Sequence, residues 1–533
     1  MSTATEGPTV VAPEVRATGD AAARFVAILI VLLLAATFAM HIYWIIPNHD
    51  EDWYLIAVAR MLDGGRYITD FMEPNPPLIM LLMAPPVILA RLMYVEPYYV
   101  FALFVCLLIA ASVLLVMPTL SWVFAGDPAG AQIALACYAA ILSLHPAYQF
   151  GQREHLFVIL FCPGLFWFAA REAGRRSSST SDWVAIVLAS IAVLIKPFYL
   201  LVTAILLAFR VVRHRTWRVA IDAPVAVMVA VTLLYGGVIL FAFPEYLVEA
   251  AIQRQVYFGW DRAWSTLAQA SRDAVTVLSL VILLTELGPF GAAIRRFLRI
   301  VYLAAAVCLV LGVAQKKGWP YQLLPTIEIA GCALAFQLLI LRAAVVERRS
   351  WGRLVAVLGA LVIQLWFVAL EPWRETTALT RPRFHREPLI STLGQMAAGK
   401  SVLLLTSGFQ MGFPSMTGAR LAGRAPSQIL VPGIVKLANG NADQRARAAT
   451  LHQLAVQELV EDIRRYHPDF IAVDRRTVKQ ALPDGFDMLH FYDVDPVFVS
   501  AWHNYGLARS IPGWDLYARN RPAPVGPSAA VAP

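Results

Sequence analysis

The run Phe25–Ile46, FVAILIVLLLAATFAMHIYWII, is followed at once by Pro47-Asn48-His49-Asp50-Glu51-Asp52-Trp53-Tyr54. A hydrocarbon core of about 30 Å takes roughly 20 apolar residues per spanning helix. The run is long enough to cross it, and too long for a signal-peptide core of about 7–15 residues. It therefore reads as an uncleaved first span, with the acidic stretch opening the loop beyond it. Three adjacent carboxylates beside a bilayer are costly unless they face water or have a task. The plain alternative is an acidic first turn that complements a helix dipole.

Working outward, the apolar pattern recurs. Of the 533 residues 59% are hydrophobic, and the mean hydropathy is +0.61. Further runs at 98–121, 129–148, 155–170, 183–195, 197–211, 219–243, 272–290, 298–314, 322–341 and 352–370 bring the expected total to about 11 spans. The segment 76–93 is apolar too, but Pro85-Pro86 interrupts it. Proline removes a helical hydrogen bond and clashes with the preceding turn, so a re-entrant or interfacial hairpin is expected there. With that choice the clusters Arg171/Arg175/Arg176, Arg210/Arg213/Arg215/Arg218, Arg295/Arg296/Arg299 and Arg342/Arg348/Arg349/Arg353 all fall on one side. The positive-inside rule makes that side cytoplasmic. The N-terminus is then cytoplasmic, in a bacterial inner membrane, and the C-terminal part periplasmic. The net charge of +8 is carried largely by these short-loop arginines, so it signals topology and gives no reason to expect nucleic acid. All five cysteines lie in apolar runs, which supports neither a disulfide framework nor a thiolate metal site.

Three regions are expected. Residues 1–23 are rich in Ala, Thr, Pro and Gly and read as a disordered cytoplasmic N-terminus. Residues 24–371 form the transmembrane domain, with a first periplasmic loop at 48–97. Residues 372–533, where charges, Pro and Gly become ordinary, form a soluble domain. Strand-like runs at 401–406, 469–474 and 515–519, with a helical stretch at 442–466, make it a small α/β domain. No glycine-rich phosphate loop follows either of the first two strands, so an accessory or acceptor-binding role is expected.

The first loop continues through Ala59-Arg60-Met61-Leu62, Gly64-Gly65, Asp70 and Asn75-Pro76-Pro77-Leu78. As a combination this resembles the first-loop signature of the GT-C superfamily of membrane glycosyltransferases. It is most similar in pattern to protein O-mannosyltransferases and lipid A aminoarabinose transferases. In those families an Asp-Glu pair opens the loop, a Tyr follows three residues after the Glu, and an Ala-Arg-x-Leu-type helix leads to a Lys-Pro-Pro-Leu-like turn. The match covers about 30 contiguous residues and the helical layout of the first 370. Two departures stand out. The family's Lys before the Pro pair is Asn75 here, and its Arg-acidic second motif is Gln152-Arg153-Glu154-His155, with Glu in place of Asp. A third segment, Gln315-Lys316-Lys317-Gly318-Trp319-Pro320-Tyr321-Gln322, is similar to a Lys-Gly-Trp-x-Tyr-like outer turn of GT-C relatives.

The resemblance implies an α-helical polytopic membrane protein, GT-C-like, with the soluble α/β domain appended. It implies a glycosyltransferase using a polyprenyl-phosphate sugar, since the periplasm has no nucleotide-sugar supply. The acceptor would be an envelope glycan, glycolipid or protein. A base must take the acceptor proton and cations must hold the phosphate as its charge grows. Asp50 is expected as base in a single inverting displacement, with Glu51 or Glu154 orienting it or holding a metal. No cofactor is expected with certainty, and a divalent metal is left open. Arg60, Arg153, Lys196, Lys316 and Lys317 are expected at the donor phosphate, and Tyr54, His155, Tyr321 and Gln322 at the substrate. For the lysines the bland reading is snorkelling to the headgroups. Two other functions compete. An O-antigen ligase or polymerase would use a late loop such as 244–271, with Arg254 and Arg262. A transporter or flippase would show internal repeats and mid-membrane charges, and the sequence shows neither.

Overall fold

The computed structural model describes residues 13–176, 178–348, 379–408, 412–413 and 415–520, and the single positions 359, 362 and 377. The span expected at 352–370 thus lies, but for two positions, outside the described residues. So does segment 1–12 of the expected disordered N-terminus, whereas 13–23 is already helical.

The described membrane part is a run of helices: α1 (Pro13–Tyr43), α2 (His49–Leu62), α3 (Leu78–Met93), α4 (Pro97–Val123), α5 (Pro128–Leu144), α6 (Arg153–Ala173), α7 (Thr180–Ile195), α8 (Leu200–His214), α9 (Ala223–Ala242), α10 (Pro244–Val256), α11 (Trp264–Ala270), α12 (Arg272–Leu287), α13 (Ala292–Ala314) and α14 (Leu324–Arg348). Among the described residues seven helices are long and apolar enough to cross a membrane, or eight if α11 and α12, bent by 54°, count as one span. The segments α3, α5 and α7 are shorter apolar helices. The expected hairpin at 76–93 is corrected: α3 is one helix with Pro85 and Pro86 inside it. It packs against α2 and α4, and that tertiary packing holds a helix that its prolines would weaken alone. The chain reverses only after Tyr94, which caps α3 in the left-handed conformation.

The central helix is α6, buried along almost its whole length. Apolar packing gives little drive between helices in lipid, so close approach and interhelical hydrogen bonds matter more. Both occur here. A Cβ at Gly164 of α6 would lie 2.5 Å from the Ala189 Cβ of α7. Ser112 of α4 donates to the Ile159 carbonyl at 2.7 Å and bonds the Tyr138 hydroxyl of α5 at 2.6 Å. These contacts seat the middle of α6 against α4 and α7.

The C-terminal part holds α15 (Pro388–Met396), β1 (Ser401–Leu405), β2 (Arg420–Leu421), α16 (Val431–Ala438), α17 (Ala442–Tyr466), β3 (Phe470–Asp474), α18 (Pro496–Trp502), β4 (Tyr505–Ile511) and β5 (Trp514–Arg519). The sheet order is β2-β1-β3-β5-β4, parallel across the first three strands and antiparallel across the last three. Alternation along the strands assigns the two faces. Val402, Leu404, Phe470 and Ala472 join the core that runs into the membrane helices. Leu403, Leu405, Ile471 and Val473 pack with α16 and α17.

Candidate active site

Asn48 caps α2: its Oδ1 accepts from the Asp50 amide at 2.9 Å. Gln152, which precedes α6, donates from Nε2 to Asn48 Oδ1 at 2.7 Å and to Asp50 Oδ2 at 3.0 Å. One amide therefore ties together two helix N-termini. Each carries a partial positive charge and free N–H groups, so the junction favours an anion. Arg153 adds a full charge, donating from Nη2 to Asp50 Oδ2 at 3.0 Å, with both side chains buried. Its guanidinium also stands 5.4 Å from the Tyr54 ring and 5.7 Å from the Tyr321 ring. Behind it, buried Lys196 pairs with Glu154 and lies 5.4 Å from the Tyr321 ring.

Asp50, Tyr54, Arg153 and Tyr321 open onto a cavity of about 1270 Å³, counted to its mouth. Burial alone would raise the Asp50 carboxyl, but His49, Arg153, Gln152 and Lys196 outweigh it and hold the group below its ordinary value. Asp50 is thus ionised at neutral pH. Lys196 is pushed down to about 8, chiefly by burial and against the pull of Glu154. A second cavity carboxylate, Glu73, accepts from Trp53 Nε1 at 2.9 Å and from the Asn75 amide at 2.8 Å, and burial raises it. Asn75 also bonds Glu73 through its side chain and reaches the Tyr54 hydroxyl at 3.3 Å. The position where the family has Lys therefore organises neighbours and supplies no charge.

The far wall is aromatic. Trp319 lies 6.3 Å from Tyr257, 6.2 Å from Trp260 and 5.6 Å from Tyr321, ring centre to ring centre. The C-terminal part supplies Ala425, Pro426, Ser427, Ile429 and Gln480 to the same cavity. The Met72 amide donates to the Arg424 carbonyl at 2.6 Å, which joins that wall to the first loop. Sequence reading missed Glu73, Ser427, Gln480 and the pair Tyr257/Trp260. An acidic residue just ahead of the Asn-Pro-Pro turn is a signal for Glu73. For Ser427 and Gln480 the sequence holds none.

Lys196, held by Glu154, and seven other expected residues do not line the cavity. Glu51 turns into the protein, where Asp52 and Asp50 crowd it and its Oε1 has no partner; the helical step from Asp50 rotates it away. Glu154 is committed to Lys196. Arg60 lies ten residues along α2 from Asp50 and donates to the carbonyls of Asp70, Leu421 and Gly423. His155 is a structural histidine: its Nδ1 accepts from the Gly151 amide at 3.0 Å, so its Nε2–H donates to the Leu142 carbonyl at 2.8 Å. Lys316 is exposed. Lys317 is buried against Asp261 and the Tyr257 carbonyl. Gln322 donates to Gln315 at 3.0 Å. Arg254 and Arg262 of the late loop do not line the cavity either.

For a divalent metal, no group of three His, Cys, Asp or Glu converges among the described residues. The two cavity carboxylates are already committed, Asp50 to Arg153 and Gln152, Glu73 to Trp53 and Asn75. This donor set does not fit a bound ion, and no step is derived through one.

No family model matches the chain, and no curated protein does. Solved structures match. A crystal structure of ArnT from Cupriavidus metallidurans bound to undecaprenyl phosphate is similar over 94% of this chain and 98% of that one, with a TM-score of 0.53 and 13% identity. A structure of the Archaeoglobus fulgidus oligosaccharyltransferase with zinc and sulfate is similar over 93% of this chain and 73% of that one, at a TM-score of 0.43 and 12% identity. Taken with its helices and terminal sheet, the likeness to ArnT makes this chain an α-helical polytopic membrane protein with an ArnT-like fold and a small α/β part at its C-terminal end.

Proposed function

We propose that the chain is a glycosyltransferase that moves a sugar from a polyprenyl-phosphate donor to a cell-envelope acceptor, in the cavity beside Asp50 and Arg153. The observation that carries this reading is the buried Asp50–Arg153 pair at the joined N-termini of α2 and α6, with Lys196 behind it. The arrangement supplies a base and a concentrated positive field in one place. The undecaprenyl phosphate bound by the ArnT structure supports the donor class. The topology that fits has the N-terminus in the cytoplasm, the cavity at the outer face of the inner membrane and the domain from residue 372 in the periplasm.

In the reaction, an Asp50 carboxylate oxygen takes the acceptor's hydroxyl proton as the acceptor oxygen bonds to the sugar C1. The bond from C1 to the phosphate oxygen breaks, and polyprenyl phosphate leaves with the electron pair. One displacement from the opposite face inverts C1. Arg153 offers bidentate hydrogen bonds to the departing phosphate, and Lys196 adds a point charge. The Glu73–Trp53–Asn75 set keeps Tyr54 in place. Aromatic faces at Tyr257, Trp260 and Trp319 offer apolar surface to a sugar ring, and Ser427 and Gln480 offer hydroxyl partners.

The test is transfer by the purified full chain, given a polyprenyl-phosphate-linked labelled sugar and envelope extract. Release of polyprenyl phosphate with labelled product is expected, abolished when Arg153 is changed to Glu. No release with any such donor would remove the reading.

A further inference from the structure

Helix α6 is charged at both ends. Arg153 and Glu154 stand at the cavity, and Arg171 and Glu172 lie 18 residues further on. At about 1.5 Å per residue that is about 27 Å, close to the thickness of the hydrocarbon core. At this far end a second, open-mouthed slot, about 600 Å³ counted to its mouth, lies between α6, α7, α8 and α9. Its walls are apolar, with Phe161, Phe168, Ile186, Leu206, Leu207 and Met228 among them, and Arg171, Arg210 and Asp222 close one end.

The charges there do not balance. Asp222 Oδ2 takes Arg171 at 2.9 Å and Arg210 at 2.7 Å. Glu172 takes Arg210 Nε at 2.9 Å, His214 at 2.9 Å and, more distantly, Arg213 at 3.9 Å, while Arg296 donates to the Glu172 carbonyl at 3.4 Å. Three guanidiniums thus share two carboxylates, and a fourth, that of Arg296, has only a backbone carbonyl of Glu172 beside it. Such a surplus beside a bilayer calls for an anion. The slot next to it is too apolar to hold ordered water. It is also walled on one side by α9, in which only Tyr235 is buried and which packs on α7.

We propose that this slot holds one acyl chain of an anionic membrane phospholipid, whose phosphate sits against Arg171, Arg210, Arg213 and Arg296. The apolar slot running on from the arginines selects a lipid over free phosphate. The surplus charge selects an anionic headgroup over a zwitterionic one, which brings its own cation. Bound there, the lipid fastens α8 and α9 to α6 on the membrane face opposite the cavity. The site is separate from sugar transfer and does not depend on it.

The test uses delipidated full-length protein in detergent, with Tm read against added lipid. Dioleoyl phosphatidylglycerol is expected to raise Tm by several degrees, and dioleoyl phosphatidylcholine and inorganic phosphate to leave it unchanged. Leu207→Trp, which fills the slot, is expected to lose the rise. An equal rise with phosphatidylcholine, a rise with phosphate alone, or an undiminished rise in Leu207→Trp overturns the proposal. If that variant does not fold, wild-type protein is photolabelled with phosphatidylglycerol bearing a diazirine on its acyl chain. Label within 161–171 or 224–228 supports the site, and label confined elsewhere overturns it.

Discussion

Asp50 and Asp52 are two residues apart on α2 and meet opposite surroundings. Asp50 faces the cavity and is held ionised by Arg153 and its neighbours. Asp52 accepts from the Ser415 hydroxyl at 2.9 Å, and burial pushes it up to about 8. A general base typically contributes about 10²–10⁴ in rate. Asp50→Asn is therefore expected to lower turnover by about that factor while polyprenyl phosphate still binds, and Asp52→Asn to leave turnover nearly intact. The reverse pattern in a transfer assay would shift the base by two residues. Asp52 also has a stability signature. Its folded pKa lies above the unfolded one, so between those values the folded state holds more protons and loses stability as pH rises. Wild-type Tm should fall between about pH 6 and about pH 8 more steeply than that of Asp52→Asn. Equal slopes would show that Asp52 does not titrate there.

Lys196 gives the complementary pH dependence. Its value of about 8 means that its charge, on the proposed role the one offered to a phosphate, is present below that pH and lost above it. Donor affinity should weaken as pH rises through about 8, and Lys196→Arg, which stays charged, should flatten that fall in a binding titration. A fall of the same steepness in the variant would assign it to another group. Of the residues that the sequence singled out, Asp50, Arg153, Tyr54 and Tyr321 come together around one cavity. The sequence misled where a charged residue is a structural tie. Nothing in the local sequence at Arg60 or Lys317 reveals that backbone carbonyls and Asp261 consume their donors, because those partners come from remote parts of the chain.

At the scale of elements, α2 works as a strut. Its N-terminus presents Asp50 to the cavity, and Arg60 in its last turn bonds the carbonyls of Leu421 and Gly423 in the C-terminal part. Arg424 completes the tie, reaching the Ile68 carbonyl at 3.0 Å and Asp462 at 2.8 Å. Hydrogen bonds from charged groups contribute about 1.5–3 kcal/mol each, so Arg60→Ala should destabilise the protein by about 3 kcal/mol and leave phosphate affinity in the folded fraction unchanged. Thermal unfolding and lipid-phosphate binding measure the two separately, and a loss of affinity without loss of stability would return Arg60 to the phosphate site. The strands at 401–406 and 469–474 were legible because buried strands are short, dense apolar runs between polar turns. Helix α3 was not, since Pro85-Pro86 reads locally as a break and only packing on α2 and α4 makes it continuous.

Across the whole molecule, one end of the helical bundle carries the cavity and the other the arginine cluster around Glu172 and Asp222. That polarity suits a cytoplasmic N-terminus. An alkaline-phosphatase fusion at about residue 375 should be active and one at about residue 176 inactive. The reverse would put the cavity in the cytoplasm. The fold class was legible from the periodic apolar runs, whereas the reach of residues 425–427 and 480 into the cavity depends on long-range packing that no local pattern encodes. The most direct test of the account is a structure of the full-length protein with polyprenyl phosphate bound. The phosphate should lie in the cavity within hydrogen-bonding distance of Arg153, with Lys196 beside it and the sugar face toward Asp50. A phosphate seated instead at Arg254, Arg262 or Lys316, with the Asp50–Arg153 pair untouched, would contradict it.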